Sequence, residues 1–397
     1  MNTTGIVAII NDTYLQGLSD IKVDGTSVLS TPKKNTVNID DIDKEIRLEW
    51  TTIPSNCDFM FSSLINILEI DLSSFIFSSV TSMAYMFYNC ISLKSIKFDS
   101  SINTGSVKYM NSTFACCHSL ESLDITNFQF SNVEYMGGMF YACHSLESLD
   151  LSGKIMNNNL IFASTFRDCF SLKSLILTGA SANSAVHFGY MFTNCYSLIS
   201  LDLLSFNKVP ENFLTMTAYM FSNCTFLINV NMPNFFANKN NILWSMFSGC
   251  NNLQYLNING IFEDIWSTKE EIYNNIFENN PQNMVICMPN DAYKLKSFFS
   301  KNIACGVIDC TENWKEKQKK LNSETLACMN SCKGEFKYEY KTICYKKCPR
   351  GTKYNEIKIC VKNMKKRKKC LKLMKLLKQM NSFLKKKRKK LMNFMQI

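Results

Sequence analysis

Cysteine is the residue type in this sequence whose number and spacing point most clearly to chemistry. The 397 residues contain 18 cysteines and three histidines. Near the C-terminus, five of the cysteines follow the spacing C-x3-C-x11-C-x3-C-x11-C. Cysteines this close together either pair as disulfides or bind zinc. The five residues are Cys328, Cys332, Cys344, Cys348 and Cys360.

Disulfides suit this spacing better than zinc does. C-x3-C pairs without a histidine differ from zinc ribbons, which more often use C-x2-C. A segment of about 35 residues also buries too little apolar surface to fold without cross-links. Cys360 lies outside the two C-x3-C pairs and needs a partner elsewhere, for which Cys370 is the candidate. A zinc site stays open as the alternative.

Two further cysteines, Cys305 and Cys310, are also disulfide candidates. With Cys287 they surround an apolar segment, residues 284–289, that predicts a closing strand. The sequence therefore predicts a cap braced by disulfides after this strand. Disulfides in this part of the chain would indicate an oxidising compartment.

Seven other cysteines recur at nearly constant intervals, and two of them are followed by histidine. One per repeat, they would stack as small buried groups that need not pair. A metal site formed by Cys117, His118, Cys143 and His144 is conceivable. Repetition of the unit that merely places two histidines side by side on the surface is the simpler interpretation. We call these seven the ladder cysteines: Cys90, Cys117, Cys143, Cys169, Cys195, Cys224 and Cys250.

Catalytic chemistry has few candidates in this sequence. Three histidines leave little material for a general acid or base. The chain has no G-x-S-x-G, no G-x-x-x-x-G-K phosphate loop and no H-E-x-x-H. We therefore predict that the protein is not an enzyme, and we assign it no catalytic residue, metal or cofactor.

An internal repeat supplies the elements that position these residues. A phenylalanine preceded by methionine or threonine recurs with steps of 26, 27, 26, 26, 26, 29 and 26 residues. A ninth, degenerate copy ends at Phe277. A repeat of about 26 residues carrying L-x-x-L-x-L is typical of leucine-rich repeats. The phenylalanines are Phe61, Phe87, Phe114, Phe140, Phe166, Phe192, Phe221 and Phe247.

Each unit predicts one short strand and one short helix. In residues 120–125, Leu123 and Ile125 alternate with polar residues, as in a strand with one buried face. Val133, Met136 and Phe140 stand at i, i+3 and i+7, the spacing of one face of a helix. One unit cannot bury its apolar face alone, so the units must stack. The predicted fold is an α/β repeat, a leucine-rich-repeat solenoid with a parallel sheet.

The repeat carries a family resemblance. The string V-E-Y-M-G-G-M-F-Y-A-C-H-S-L-E-S-L-D-L-S, residues 133–152, resembles BspA-like leucine-rich-repeat surface proteins, in the version of mycoplasma-type lipoproteins. The resemblance covers roughly residues 56–290 and implies surface display, with recognition or adhesion roles in several members. Residues 154–163 and 179–188 depart from the pattern of the other connections. The C-terminal cysteine segment resembles furin-like or growth-factor-receptor-like cysteine-rich modules.

The sequence accordingly divides into five parts. The first lacks the repeat and contains short strand patterns around an Asp24-Gly25 turn, which predicts a β cap over the first coil. The predicted parts are the N-terminal β cap (1–55), the solenoid (56–290), a C-cap (291–320), a disulfide-rich module (321–361) and a basic tail, helical or disordered (362–397).

Outward positions on the predicted strands are the candidate ligand-binding residues. Stacked carboxylates about 5 Å apart repel one another, so serine hydroxyls, a bound cation or a basic partner would relieve them. Lys97 and Ile176 interrupt the acidic stripe. Simple solvation of these positions is the alternative interpretation. The candidates are Ser122, Asp124, Ser148, Asp150, Ser174, Ser200, Asp202, Asn229 and Asn231.

The net charge of +11 comes from the tail. Residues 362–397 contain 15 Lys or Arg and no acidic residue, whereas residues 1–361 carry 29 basic and 33 acidic residues. Two basic blocks flank an apolar stripe, which suits an anionic membrane surface or a calmodulin-like groove. The blocks alone suit nuclear import or a polyanion, although the acidic body disfavours nucleic acid. Translation of an AT-rich non-coding stretch would give a similar composition.

Together these features predict a recognition or adhesion protein that presents its repeat surface to a protein or glycan ligand at the cell surface. The alternative is an intracellular scaffold that the basic tail directs to an anionic membrane or to nucleic acid. No signal peptide or transmembrane segment is recognisable in the sequence. A truncated gene model would explain both absences in a surface protein.

Overall fold

The computed structural model describes residues 5–28, 35–39, 44–156, 161–181, 187–204, 216–233, 243–259, 275–290, 292–355 and 357–362. The chain divides into two compact units, Met1–Gln318 and Lys319–Ile397. The first unit contains a β cap and a solenoid. The second contains the C-terminal cysteine framework.

The N-terminal cap consists of short antiparallel strands. Strand β1 pairs with β4, and β2 pairs with both β3 and β5. Asp24 and Gly25 form the turn between β2 and β3, both with positive φ, which matches the twist of a two-residue hairpin. The strands that the sequence predicts around this turn are present. Their bounds are β1 Gly5–Ala8, β2 Leu18–Val23, β3 Thr26–Ser27, β4 Thr36–Ile39 and β5 Ile46–Trp50.

The solenoid contributes one short strand from most coils. Parallel pairing joins β6 to β7, β8 to β9, and β10 through β14 in order. Residues 122–124, predicted to be a strand, keep the alternation with Leu123 buried but lie between β7 and β8 outside any assigned strand. The strands are β6 Glu69–Leu72, β7 Ser95–Phe98, β8 Ser148–Asp150, β9 Ser174–Ile176, β10 Ser200–Asp202, β11 Asn229–Asn231, β12 Tyr255–Asn257, β13 Val285–Cys287 and β14 Val307–Ile308.

The prediction of a short helix in each coil is wrong. Gly138 and Ala142 have φ of 62° and 57°, and equivalent pairs of left-handed residues recur along the solenoid. A residue at positive φ cannot continue a right-handed helix. Within this coil, N–H groups of alternate residues bond three residues back, as from Met139 to Met136 at 3.1 Å. The intervening N–H groups bond the next coil, as from Phe140 to Thr165 at 2.9 Å.

These tight turns still bury the residues that suggested a helix. Val133, Met136 and Phe140 are fully buried, and so is the ladder cysteine Cys143. Consecutive turns with left-handed residues therefore give the same i, i+3, i+7 burial as a helix, while half of the backbone N–H groups serve to join neighbouring coils.

A phenylalanine ladder forms the centre of the solenoid core. Ring centroids of successive phenylalanines from Phe61 to Phe247 are 5.4–5.6 Å apart, and the rings are nearly parallel. Offset stacking at this spacing is favourable beyond the area buried. The ladder continues to Phe277 at 6.2 Å.

The C-terminal end of the solenoid is more helical than the coils. The predicted closing strand is β13, but β14 adds one more parallel strand beyond it. Helix α1, Tyr293–Asn302, buries Leu295 and Phe299 against the core. The short helix α2, Trp314–Lys317, places Trp314 on Tyr255, with ring centroids 4.8 Å apart.

The described part of the unit Lys319–Ile397, up to residue 362, is built from small sheets. Four strands lie in the order β16-β15-β18-β17, and β19 pairs with β20 in a separate antiparallel pair. The predicted amphipathic tail lies outside the described residues. The strands are β15 Lys320–Asn322, β16 Cys328–Met329, β17 Tyr338–Tyr340, β18 Ile343–Tyr345, β19 Thr352–Tyr354 and β20 Cys360–Lys362.

Among the described residues, no helix combines the length and apolar character needed to cross a bilayer.

Candidate recognition surface

The predicted ligand-binding residues lie on the outward face of the solenoid strands. In β8, β9 and β10 the first and third residues are exposed, and the central leucine is buried. Parallel pairing aligns Ser148 with Ser174, and Asp202 with Asn231. Ser122 and Asp124 are also exposed, outside an assigned strand, and Asn229 and Asn231 are half-buried. We call these residues, with their outward neighbours, the strand face.

The carboxylates of this face cap their own strand ends. An oxygen of Asp124 accepts a hydrogen bond from the N–H of Thr126 at 2.9 Å. Asp150 accepts in the same way from Ser152, and Asp202 from the residue two positions later, at 2.8 and 2.9 Å. The neighbouring hydroxyl and N–H lower the pKa of both Asp124 and Asp150. Sequence reasoning missed this turn-forming function, although Asp followed by Ser or Thr two residues later is its signal.

Basic and amide side chains relieve the stacked carboxylates further. The ammonium group of Lys97 lies 3.0 Å from the Asp71 carboxylate. Lys154 donates to the carbonyls of Thr126 and Phe128, and its charge interacts with Asp124 and Asp150. Burial lowers the pKa of Lys154. These carboxylates of the acidic stripe therefore interact with lysine side chains of the same chain.

An amide ladder continues the stripe. Asn231 donates from Nδ2 to the Asp202 carboxylate at 3.0 Å, and Asn257 donates to Asn231 Oδ1 at 2.8 Å. The buried Oδ1 of Asn229 has no hydrogen-bond partner within the described protein. The Asp202 carboxylate and the amides of Asn231 and Asn257 thus form one connected row across β10, β11 and β12.

Exposed aliphatic residues accompany this polar row. Ile176, Ile199 and Leu204 are 45%, 49% and 50% exposed. Ile176 takes the position that aspartate occupies in the neighbouring strands β8 and β10, and Ile199 directly precedes β10. In the sequence, Ile176 stands out only as an interruption of the acidic stripe. In the structure, these side chains are the apolar part of the strand face.

The histidines and ladder cysteines do not converge on a metal site. The thiol of Cys117 points to the carbonyl of Phe87 at 3.2 Å, and that of Cys143 to the carbonyl of Phe114 at 3.1 Å. Both thiols are fully buried, and burial raises their pKa. The imidazoles of His118 and His144 are half-buried and stack on each other, with ring centroids 4.2 Å apart.

The histidine stack continues over two aromatic rings. Phe170 lies 4.5 Å from His144, and Tyr196 lies 5.2 Å from Phe170, measured between ring centroids. Burial, and next the neighbouring His118, lower the pKa of His144. Within the described residues, no group of His, Cys, Asp and Glu has the arrangement of a metal site.

The C-terminal cysteines form disulfides in the structure. Cys332 is bonded to Cys344. Cys348 is bonded to Cys360, so the expectation that Cys360 pairs with Cys370 is wrong. Pairing of strand β19 with β20 brings Tyr354 opposite Cys360, a register that the sequence spacing does not reveal.

The other predicted disulfide residues are also bonded. Cys310 pairs with Cys287 of β13, which fastens the segment after β14 to the solenoid strands. Cys305 and Cys328 are disulfide-bonded as well. The seven ladder cysteines, together with Cys57 and Cys116, are free thiols.

Comparison with known families agrees with the repeat. Residues 55–176 match the family described as "Mycoplasma protein of unknown function, DUF285". Residues 140–283 match the BspA type leucine rich repeat region. No curated protein matches the chain. No match tests the resemblance of the cysteine segment to furin-like modules, which stays a prediction.

Two solved structures are among the matches. A leucine-rich repeat protein from Bacteroides ovatus is 16% identical, with a TM-score of 0.25, and the match covers 65% of this chain and 89% of that one. A leucine-rich-repeat protein from Leptospira interrogans is 15% identical, with a TM-score of 0.19, and the match covers 56% of this chain and 73% of that one.

Proposed function

We propose that this chain, whose repeat region is of the BspA leucine-rich-repeat type, is a non-catalytic recognition or adhesion protein. In this proposal, the strand face contacts a protein or glycan ligand. The observation that carries the proposal is the juxtaposition of exposed Ile176, Ile199 and Leu204 with a fixed row of amides and carboxylates. Apolar anchors within a polar surrounding are typical of protein recognition sites.

Order in the strand face supports this function. The carboxylates and amides are held by hydrogen bonds before a ligand arrives, so binding loses little side-chain entropy. The ladder of buried rings below the face fixes the spacing of the coils. The ligand class that fits best here is a protein with its own apolar side chains and a few donor groups.

Cell-surface location belongs to the same proposal. The disulfides Cys287–Cys310, Cys332–Cys344 and Cys348–Cys360 suggest an oxidising environment. The BspA-type repeat, which is typically surface-associated, supports the same location. Labelling intact cells of the source organism with a membrane-impermeant biotin reagent tests it, because labelled solenoid peptides are expected only from an exposed protein.

Binding by the strand face is tested with the purified full chain. Surface plasmon resonance against a panel of extracellular matrix proteins and mucin glycans should identify at least one ligand. Ile176→Lys places a charge on β9 and Ile199→Lys places one directly before β10, so we expect at least tenfold weaker binding of that ligand in each variant.

Ile155→Lys is the matched control. Ile155 is 68% exposed and lies in the connection after β8, where it bridges Ser181 instead of flanking a solenoid strand, so the same substitution there should leave the affinity unchanged. Equal losses in all three variants, or no loss in the two strand-face variants, would show that recognition does not use this face.

A further inference from the structure

A cleft lies where the β cap meets the first coil of the solenoid. Its volume is about 540 Å³, which is within the range of small-molecule binding sites. Residues from the cap and from the segment entering the first coil line it. The lining includes Thr13, Tyr14, Trp50, Thr52, Asn56 and Asp58.

Hydrogen bonds between the cap and the first coil hold the cleft in shape. Thr13 and Tyr14 lie on a 3-10 helix, Asp12–Gly17, which begins after Asn11. The N–H of Asn11 donates to the Met60 carbonyl at 2.9 Å, and the Tyr14 hydroxyl donates to the Asp58 carbonyl at 2.7 Å. Both walls are therefore fixed to each other.

Trp50 forms an aromatic wall of the cleft. It ends strand β5 and packs edge-on against Phe75, with ring centroids 6.0 Å apart. Its ring is half-buried, and its indole N–H has no acceptor within the described protein. Together with Tyr14, it offers apolar ring surface beside polar groups.

Asp58 is a preoriented acceptor. One oxygen accepts from the Ser82 hydroxyl and from the Ala84 N–H at 3.0 Å. The other accepts from Asn56 Nδ2 at 3.2 Å. A carboxylate has about four acceptor positions, so about one is left for a ligand hydroxyl.

The remaining lining groups select against an anion. Thr13 and Thr52 supply hydroxyls, and Asn56 supplies an amide, all at exposed positions. None of the described lining residues is basic. A carboxylate without a cationic neighbour in the lining would repel phosphate or carboxylate ligands.

We propose that this cleft binds a neutral saccharide of about two or three sugar rings. Sugar C–H faces would pack on Tyr14 and Trp50, and sugar hydroxyls would bond Asp58, Asn56 and the threonines. Many hydroxyls, apolar ring faces and no net charge are the properties that this lining complements. The site is distinct from the strand face, so saccharide binding in the cleft is tested independently of the proposed function.

Isothermal titration of the full chain tests the proposal. The probes are maltotriose, cellotriose, mannotriose, lactose and triacetylchitotriose, each at concentrations up to about 10 mM because single-saccharide sites are often weak. At least one of them should bind. Thr52→Trp, which fills the cleft from an exposed position, and Asn56→Ala, which removes an amide donor, should each weaken that binding at least tenfold.

The controls separate this cleft from other surfaces. Thr26→Trp makes the same change at an exposed position of β3, and Ile199→Lys alters the strand face; both should bind the saccharide as the unaltered chain does. Unchanged thermal midpoints establish that the variants fold. Absence of binding to all five saccharides, or binding that Thr52→Trp does not change, would overturn the proposal.

Discussion

At the scale of single residues, the seven ladder cysteines are inert packing groups. Each thiol lies 3.0–3.2 Å from a phenylalanine carbonyl of the preceding coil. Burial raises the pKa of every one of them. Since the thiolate is the reactive form, a buried thiol with a raised pKa reacts slowly.

Alkylation rates should therefore differ sharply between neighbouring cysteines. Cys116 is half-buried and Cys117 fully buried, so we expect iodoacetamide to modify Cys116 first in the native protein. Burial also raises the pKa of Cys116, so its alkylation rate should still increase with pH above the ordinary cysteine value of about 8.5. Timed alkylation with mass spectrometry measures both rates. Equal rates at Cys116 and Cys117 would contradict the buried position of the ladder.

Removing one ladder thiol should cost stability. Cys143→Ala leaves a small cavity and removes the contact with the Phe114 carbonyl, so we expect a loss of roughly 1–2 kcal/mol in the free energy of unfolding. Cys116→Ala is the matched control and should change it by less than about 0.5 kcal/mol. Urea unfolding followed by circular dichroism gives both values. Similar losses in the two variants would show that a ladder cysteine contributes no more to stability than a half-buried cysteine.

At the scale of elements, the left-handed residues decide the path of each coil. Gly249 and Gly153 both have positive φ, at 76° and 66°. A Cβ on Gly249 would lie within 3.4 Å of three atoms of Asn223, whereas nothing lies within 4 Å of one on Gly153. The side chain of Asn223 is itself held by Asn194 at 3.0 Å. Both glycines thus need a positive φ, but an added Cβ would contact a neighbouring side chain only at Gly249.

Alanine substitution should distinguish backbone strain from crowding. Gly153→Ala reports the strain alone, and we expect it to cost about 1 kcal/mol. Gly249→Ala must also displace Asn223, so its cost should be larger by roughly 1–2 kcal/mol. Thermal unfolding of the two variants provides the comparison. If they are equally stable, Asn223 moves aside without penalty.

The strand-end carboxylates should make stability depend on acid pH. The Ser73 hydroxyl and N–H, together with Lys97, lower the pKa of Asp71 to about 2, and similar bonds lower those of Asp99, Asp124 and Asp150. A pKa lowered in the folded state stabilises above the ordinary value near 4, and this contribution is lost as the pH falls from about 4 to about 2.

Melting temperatures measured at several pH values in this window test the carboxylate contribution. Asp71→Asn and Asp150→Asn keep an acceptor for the turn but do not titrate, so the slope of melting temperature against pH should be shallower in each variant. An unchanged slope in both would mean that other groups govern acid unfolding.

The sequence predicts the repeat, the inward residues and the strand positions because these follow from regular spacing. It does not distinguish a helix from two tight turns, since Met136 and Phe140 are buried in either case. The distinction depends on N–H groups that bond the next coil, and these are not visible within one repeat. The aspartates of the strand face can be identified from the sequence. Their hydrogen bonds from the N–H groups of Thr126 and Ser152 form only when the backbone turns after the strand.

The remaining differences come from contacts between distant segments. Cys360 is bonded to Cys348 because β19 and β20 pair. The spacing of the cysteines alone does not distinguish Cys348 from other partners. The cleft joins Tyr14 and Trp50 to Asp58, residues from three segments that carry no shared pattern. Repetition makes the solenoid predictable, whereas its cap and its C-terminal unit are not repetitive.

At the scale of the whole molecule, the two units depend on different sources of stability. The first has one continuous buried core from Ile9 to Ile303. In the second, the buried apolar residues among those described are Leu321, Cys344 and Cys360. A unit with so little core relies on its cross-links.

Reduction should therefore unfold the second unit selectively. After treatment with dithiothreitol, we expect amide hydrogens of β15 to β20 to exchange rapidly, while those of the solenoid strands β7 to β12 stay protected. Hydrogen exchange with mass spectrometry resolves the two regions, and the oxidised protein is the control. Persistent protection of β17 and β18 in reduced protein would show that the sheet is stable without its disulfides.

The near-constant stacking of Phe61 to Phe247 also has a consequence for how such a gene can change. Every coil meets its neighbours through the same inward residues, so an unequal crossing-over that adds or removes one whole unit restores an equivalent interface on both sides. The number of repeats can then change without redesign of the core, while substitutions at outward positions change the surface independently. Because of the phenylalanine ladder, one repeat of the gene encodes one coil that packs in the same way wherever it is inserted.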